Sequence, residues 1–341
     1  MLARLQAVAT ATPSYAIDQK AAAELARHLF GPVATRLGPV HDNAGIAHRW
    51  SCVPAEWYAH PHGWRERGML FAENAITLAE QAATACLERA GLAPQEVDAV
   101  VAVSTTGMCT PSLDALLLNR LGLRPDLTRL PIFGLGCAGG PLGLARAAAL
   151  AQAMPGGNVL LVVVELCGLT FRPQDRSAAN VIATALFGDG AGAALLSTSA
   201  DGPVILAWGE HTWPASLDVM GWRIEDDGFG VVFSRDIPPL IAGQFRPALD
   251  QWLRRQGMAL SDIRRFVCHP GGAKVIAALE TALDLPDGTL ALEREVLRDH
   301  GNMSAATVLF VLERALSGPL PRTLMTALGP GFTAAFVALE G

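Results

Sequence analysis

The feature that most restricts this chain is an internal repeat of turns that carry reactive side chains. Laying Cys137 over Asn302 also lays Asn158 over Thr323, because both pairs are separated by the same 21 positions (158 − 137 and 323 − 302). Asp98 then falls near Arg264, 39 and 38 positions upstream (137 − 98 and 302 − 264). Each copy closes on a glycine-rich hairpin, Gly188-Asp189-Gly190-Ala191-Gly192-Ala193-Ala194 in the first and Gly329-Pro330-Gly331-Phe332-Thr333-Ala334-Ala335 in the second. The ordered matches imply a duplicated β-α-β-α-β-β unit, and alternating strand and helix place the chain in the α/β class. The expected halves are residues 1–200 and 201–341. The first half carries extra residues, 166 to 186, between its last two strands, and excursions of that kind serve a site or an interface.

Local patterns fill in the repeat. Asp18 caps a helix reaching Phe30, and a polar loop with His41, His48, Arg49, Trp50, His60 and His62 follows. No two of those histidines have helical metal-ligand spacing, so they read as solvated and no metal site is expected. Residues 69–90 form a long helix stopped by Gly91 and Pro94. Val97–Ser104 is a buried strand, and Ser112 caps a helix through Arg120. The helix after Cys137 runs to Met154, and Asn158–Glu165 is the next strand. In the second half the strand Ile263–Cys268, the helix Ala273–Leu283, a turn at His300–Ser304 into a helix reaching Leu316, and the strand Thr323–Ala327 keep the order.

Composition narrows the partners. A chain of 341 residues with 51% hydrophobic positions buries one large core or two fused half-cores. Its net charge of −6, with no basic stripe, argues against nucleic acid and an anionic membrane surface. No apolar run approaches a membrane span, so a soluble cytoplasmic protein without membrane insertion is expected. The six cysteines form no C-x-x-C pair, which points to reduced thiols and no structural zinc.

Three residues then stand out. Cys137 follows the strand-like run Pro131–Phe133 and a glycine turn, at the mouth of a helix, where backbone N–H groups and the helix dipole favour thiolate. The turn alone leaves a second reading open, a small buried apolar residue. His269 ends a buried strand in His269-Pro270-Gly271-Gly272 and enters a loop at the carboxyl end of the sheet; it is otherwise a strand-end histidine satisfied by backbone. Asn302 occupies the turn equivalent to that of Cys137, where it doubles as a helix N-cap. A Cys, a His and an Asn in this order fit a papain-like hydrolase or an acyl transferase. The local signature of the former around its cysteine is missing, and acyl transfer with carbon–carbon bond formation fits better.

Cys137 after its glycine-ended strand, Ala185-Leu186-Phe187-Gly188-Asp189-Gly190-Ala191, His269-Pro270-Gly271-Gly272, Gly301-Asn302-Met303-Ser304 and Gly329-Pro330-Gly331 together resemble the type III polyketide synthases, the chalcone and stilbene synthase family. The resemblance spans about residues 40 to 341 and implies the five-layered αβαβα thiolase fold and a homodimer. It also implies acyl-CoA and malonyl-CoA as substrates, with no further cofactor. By resemblance Cys137 is nucleophile and acyl carrier, while His269 keeps it as thiolate and, with Asn302, forms the oxyanion hole for malonyl-CoA decarboxylation. Phe187 matches the family's gatekeeper, Val231 stands where plant members carry a second gatekeeping phenylalanine, and Thr110 falls where a residue reaches into the partner's cavity. Of three basic CoA contacts, near Arg36, Pro39 and Asn43, only Arg36 survives. Gly271, Gly329, Pro330 and Gly331 belong to motifs expected against substrate. Val164–Phe171 looks bacterial, and some bacterial members open an acyl tunnel near the position of Cys167. The expected product is an alkylpyrone or alkylresorcinol. Alternatives are a tetrahydroxynaphthalene- or phloroglucinol-type synthase, a cysteine hydrolase of acyl thioesters, or a silent partner subunit.

Overall fold

The computed structural model describes residues 1–234 and 236–341. β1 (Arg4–Ala11) opens the chain, and β2 (Tyr15–Asp18) pairs with β3 (His48–Ser51) in a small separate sheet. The first half continues with β4 (Val97–Ser104), β5 (Thr128–Phe133), β6 (Asn158–Leu166) and β7 (Asp189–Ser197). β8 (Val204–Thr212) begins the second half, and β9 (Met220–Glu225) and β10 (Gly228–Phe233) form a hairpin of their own. β11 (Arg265–Cys268), β12 (Thr323–Gly329) and β13 (Thr333–Glu340) complete it. The nine main strands run in the order β11-β12-β13-β8-β1-β7-β6-β4-β5. The halves are joined where Arg4 pairs with Val204.

That order contains the duplication. From edge to junction the first half reads β5-β4-β6-β7-β1 and the second β11-β12-β13-β8, so β11 matches β4, β12 matches β6, β13 matches β7 and β8 matches β1. Asn158 and Thr323, aligned by the repeat, are each the first residue of their strand. Two corrections follow. Among the described residues the second half has no counterpart of β5; a helix, Ala291–His300, occupies that part of the chain. The glycine hairpins also slip, for Gly188 precedes β7 whereas Gly329 ends β12, the first half having inserted a 3-10 turn (Cys167–Thr170) and a helix (Ala178–Leu186) between its two strands.

Alternating residues of the strands divide the core into slabs, as a period of two requires. Val101, Val103, Leu161, Val163, Met325 and Val337 face the central helices Gly139–Ala153 and Thr307–Ala315, one from each half. Val100, Ala102, Leu160 and Val162 face the long outer helix Trp64–Ala90, while Leu324 and Phe336 face the outer helices of the second half. Helix, sheet, helices, sheet and helix make the five layers expected. Among the described residues no helix is long and apolar enough to cross a membrane.

Other expectations need adjustment. Asp18 does cap its helix, Gln19–Phe30, by accepting from Lys20 N, but the Ser112 side chain makes no capping bond to Leu113–Leu121. The segment read as a polar loop holds the helices Pro32–Leu37 and Pro39–Asp42 as well as β3. Its histidines are not all solvated: His41 is buried, and His62 stacks on Trp57 and pairs with Glu66. Among the described residues no cluster has the makings of a metal site.

The central helices meet on glycine. A Cβ on Gly140 would stand 2.5 Å from Ala305 O and from Val308 Cγ1, and one on Gly139 3.0 Å from Ala305 Cβ. Gly140→Ala therefore lowers unfolding stability by about 1–3 kcal/mol through overpacking, measured by chemical denaturation; unchanged stability would contradict this packing.

Candidate active site

The glycine contact sets two turns opposite each other. Cys137 lies in a single 3-10 turn, Gly136–Ala138, between β5 and the first central helix. Gly136 takes a φ of 49°, where a Cβ would also stand 2.5 Å from Pro330 Cδ. A Cβ on Gly329 would reach Leu135 O at 2.6 Å and Ala138 N at 2.7 Å, so the β12–β13 turn of the other half grips the cysteine turn backbone to backbone. Thr105 Oγ1 accepts from Gly136 N at 2.9 Å and closes the third side.

The opposite turn carries Asn302 and Ser304. Asn302 Nδ2 donates to Gly271 O at 3.1 Å and its Oδ1 accepts from Ser304 N at 2.9 Å, which fixes the amide and leaves one N–H free. The cap-like bond to Ser304 N thus coexists with a donor, so the two readings of Asn302 do not exclude each other. Asn302 also bridges to Phe187: its N donates to Leu186 O at 2.8 Å and its O accepts from Gly188 N at 3.0 Å. Ser304 holds a φ of 48°, a strained value for a residue with a Cβ, and its Oγ accepts from Cys137 Sγ at 3.9 Å.

His269 follows β11. Its N donates to Thr326 O at 2.8 Å, and Gly271 N returns to His269 O at 3.0 Å, so Gly271 links the histidine loop to Asn302. His269 is 3% exposed, yet among the described residues neither ring nitrogen has a hydrogen-bond partner. That overturns the strand-end reading satisfied by backbone. Buried polar atoms without a partner are rare, and two on one ring set this imidazole apart from the other buried histidines.

The electrostatics differ from the thiolate expected at a helix mouth. Burial pushes the Cys137 thiol up to about 12; Ser304 pulls down against it, Glu165 pushes up, and Asn302 and the local backbone pull down. Burial likewise pushes His269 down to about 3. A three-residue turn does not offset desolvation, so neither group is charged on its own. We propose that the Sγ proton passes to the His269 imidazole, which makes both charges at once, so that each offsets part of what burial costs the other. Glu165, fully buried, accepts from Thr105 N at 2.9 Å and Thr106 Oγ1 at 2.7 Å, and burial raises it to about 7.

One space adjoins the thiol and a second lies behind it. A crevice of about 30 Å³ is lined by Cys137, Ser304, Pro330 and Trp222. A cavity of about 300 Å³ lies beyond it, lined by Cys167, Thr170, Tyr58 and the inner face of the helix Gln19–Phe30. Phe187 and Val231 line both, so together they form the neck between the two spaces. Phe187 packs edge-on against Trp222 and Phe233, with ring centroids 6.0 and 6.4 Å apart.

Not every expected residue lies here. Gly271, Gly329 and Gly331 line neither space; the first two shape the turns instead, and only Pro330 of that group faces the crevice. Thr110 and Arg36 are exposed and line neither. Ser304 was visible in its motif without a role. Trp222 and the wall residue Tyr58 carried no signal, because an isolated aromatic in an irregular stretch reads as core. Arg49 is buried with its guanidinium on Thr184 O, Ala185 O, Phe187 O and Gln19 Oε1, where it satisfies the carbonyls ending the helix Ala178–Leu186.

Residues 60–200 match the family model for chalcone and stilbene synthases, N-terminal domain, and residues 207–339 that for the C-terminal domain. A putative chalcone synthase of Bacillus subtilis is 44% identical over 252 residues, 70% of this chain and 69% of that one. The 1,3,6,8-tetrahydroxynaphthalene synthase of Streptomyces peucetius subsp. caesius is 41% identical over 268 residues, 75% and 71% of the two chains. The crystal structure of the Streptomyces coelicolor tetrahydroxynaphthalene synthase superposes with a TM-score of 0.93 at 27% identity, covering 99% of this chain and 98% of that one. The chain is therefore a member of the chalcone and stilbene synthase family with the thiolase fold. More closely, it is a type III polyketide synthase, a malonyl-CoA-dependent acyltransferase.

The paired charge state predicts a specific defect. In His269→Gln, iodoacetamide alkylation of Cys137 at pH 7 falls at least about tenfold, and it then rises about tenfold per pH unit to pH 9, as for a lone thiol of raised pKa. Equal rates in the two proteins at pH 7 would contradict the pairing.

Proposed function

We propose that this synthase loads a long-chain acyl group from its CoA thioester onto Cys137, extends it with malonyl-CoA and cyclises the product to an alkylpyrone or alkylresorcinol. The observation that carries this reading is the cavity of about 300 Å³ behind Phe187 and Val231, whose wall includes Ala21, Ala22, Leu25 and Ala26. A mainly apolar cavity walled by small side chains suits an alkyl chain.

His269 takes the Cys137 proton, and the sulfur attacks the starter thioester, forming acyl-Cys137 and releasing CoA. With the cysteine acylated, the imidazole is neutral again, as its burial favours. One ring N–H and the free Asn302 N–H then donate to the malonyl thioester oxygen. Loss of CO₂ leaves an enolate whose oxygen those donors stabilise, and its carbon attacks the acyl-Cys137 carbonyl, expelling the thiolate. The extended chain, now a CoA thioester, reloads. Both substrates carry their own CoA, so the sequence of steps calls for no further cofactor. Arg36 is a candidate contact for the CoA phosphates.

A second copy of the chain completes this reading. The sheet ends on β5, and Met69, Met108 and Phe133 around that edge are 65%, 51% and 52% exposed. An exposed edge with apolar side chains suits a homodimer, in which Thr110 reaches the partner's cavity. A cytoplasmic setting accords with the reduced thiols. The 41% identity to a tetrahydroxynaphthalene synthase favours a second reading, in which malonyl-CoA alone is starter and extender.

A starter panel separates the two. With ¹⁴C-malonyl-CoA, fatty acyl-CoA starters give lactone or resorcinol products in preference to acetyl- or butyryl-CoA, and Ala22→Phe shifts the preference to shorter chains. An aromatic product from malonyl-CoA alone, unchanged by Ala22→Phe, would support the second reading and overturn the first.

A further inference from the structure

The two halves differ at the sheet edge beside His269. In the first half β4 lies between β5 and β6, whereas its counterpart β11 pairs only with β12, from Arg265↔Thr323 to Cys268↔Thr326. The outer backbone N–H groups of an edge strand need other partners. At the end of β11 that partner is a carboxylate: Cys268 N donates to Glu293 Oε1 at 2.8 Å. The next residue is His269, whose own N donates inward to Thr326 O.

Glu293 is 2% exposed and lines neither the crevice nor the large cavity. It projects from the helix Ala291–His300, whose end passes through Gly301 directly into Asn302. The start of that helix is tied down by a second buried carboxylate, for Glu280 Oε1 accepts from Leu290 N at 3.0 Å and Glu280 pairs with Arg294. A buried carboxylate is costly unless its hydrogen bonds are made, and here the bond joins the segment carrying His269 to the segment carrying Asn302.

We propose that Glu293 is a positioning residue: by holding the Cys268 N–H it fixes the end of β11 against the Asn302 helix and so sets the His269 imidazole relative to the Asn302 amide. This rests on the reading of His269 and Asn302 as joint donors in decarboxylation. Their side chains come from separate segments, and donor geometry for a developing enolate tolerates little displacement. The strand that sets the matching edge in the first half is absent here, and Glu293 does its work.

Three variants of the full-length enzyme test this, read by kcat and KM for malonyl-CoA decarboxylation. Glu293→Gln keeps an oxygen acceptor at the same reach and retains kcat within about threefold; Glu293→Met keeps length and volume without it and loses at least about tenfold in kcat, with KM within about twofold. Should Glu293→Met not fold, Glu293→Asp, which withdraws the acceptor by one methylene, decides by falling at least about fivefold below Glu293→Gln. A Glu293→Met enzyme with lower Tm but undiminished kcat would make the residue merely structural and overturn the proposal. So would equal losses in the Gln and Met variants, or equal kcat in Gln and Asp. His269→Gln is run alongside: full decarboxylation by that variant would sink the underlying site reading, whereas its loss with Glu293→Met unaffected would sink only the positioning role.

Discussion

The approach of the two central helices on Gly139, Gly140 and Ala305 is the contact on which the rest depends. Helices can approach this closely only where side chains are absent, and each of these two begins at the turn that carries a site residue. Bringing the helices together therefore brings Cys137 to Ser304 and Asn302. The same closeness extends outward, as Gly329 grips the cysteine turn and Gly188 binds Asn302. Packing of the duplicated halves and assembly of the site are one event. A methyl group at this crossing would disturb the chemistry as well as the fold.

The cost of such an interior is that burial disfavours charge on the thiol and the imidazole alike. Cys137 and His269 are each driven neutral by burial, and in the proposed mechanism a proton passing between them creates opposite charges together. In the proposed mechanism a neutral imidazole is also the suitable form once the cysteine is acylated, since it would offer an N–H to the enolate without a fixed positive charge to be desolvated. Specificity is separated from this chemistry in space. The neck at Phe187 and Val231 divides the crevice from the cavity, and Phe187 is tied to Asn302 through neighbouring backbone. The neck residue Phe187 and Asn302 are thus held by one backbone bridge.

Much of this was legible in the residues. The ends of β4 follow from the sequence, because Val97–Ser104 is a mainly apolar run bounded by Pro94 and a loop. The repeat placed Cys137 opposite Asn302 correctly, since the turns are local in sequence and carry glycine. What failed to show was non-local. β1 and β8 join the halves through the single pair Arg4↔Val204, and nothing local in either strand marks that role. His41 and Arg49 look like loop residues until the helix Ala178–Leu186 folds over them. The expected thiolate rested on helix polarity, which sequence reveals, against desolvation, which it does not. The missing counterpart of β5 was masked because a helix fills the same length of chain.

The central claim is that Cys137 carries the growing acyl chain, and intact-protein mass analysis after mixing with a fatty acyl-CoA alone tests it most directly. The account predicts a single acyl adduct, mapped by proteolysis to the peptide containing Cys137 and absent in Cys137→Ala. An adduct on another cysteine, or release of free fatty acid with no covalent species at any time, would contradict it.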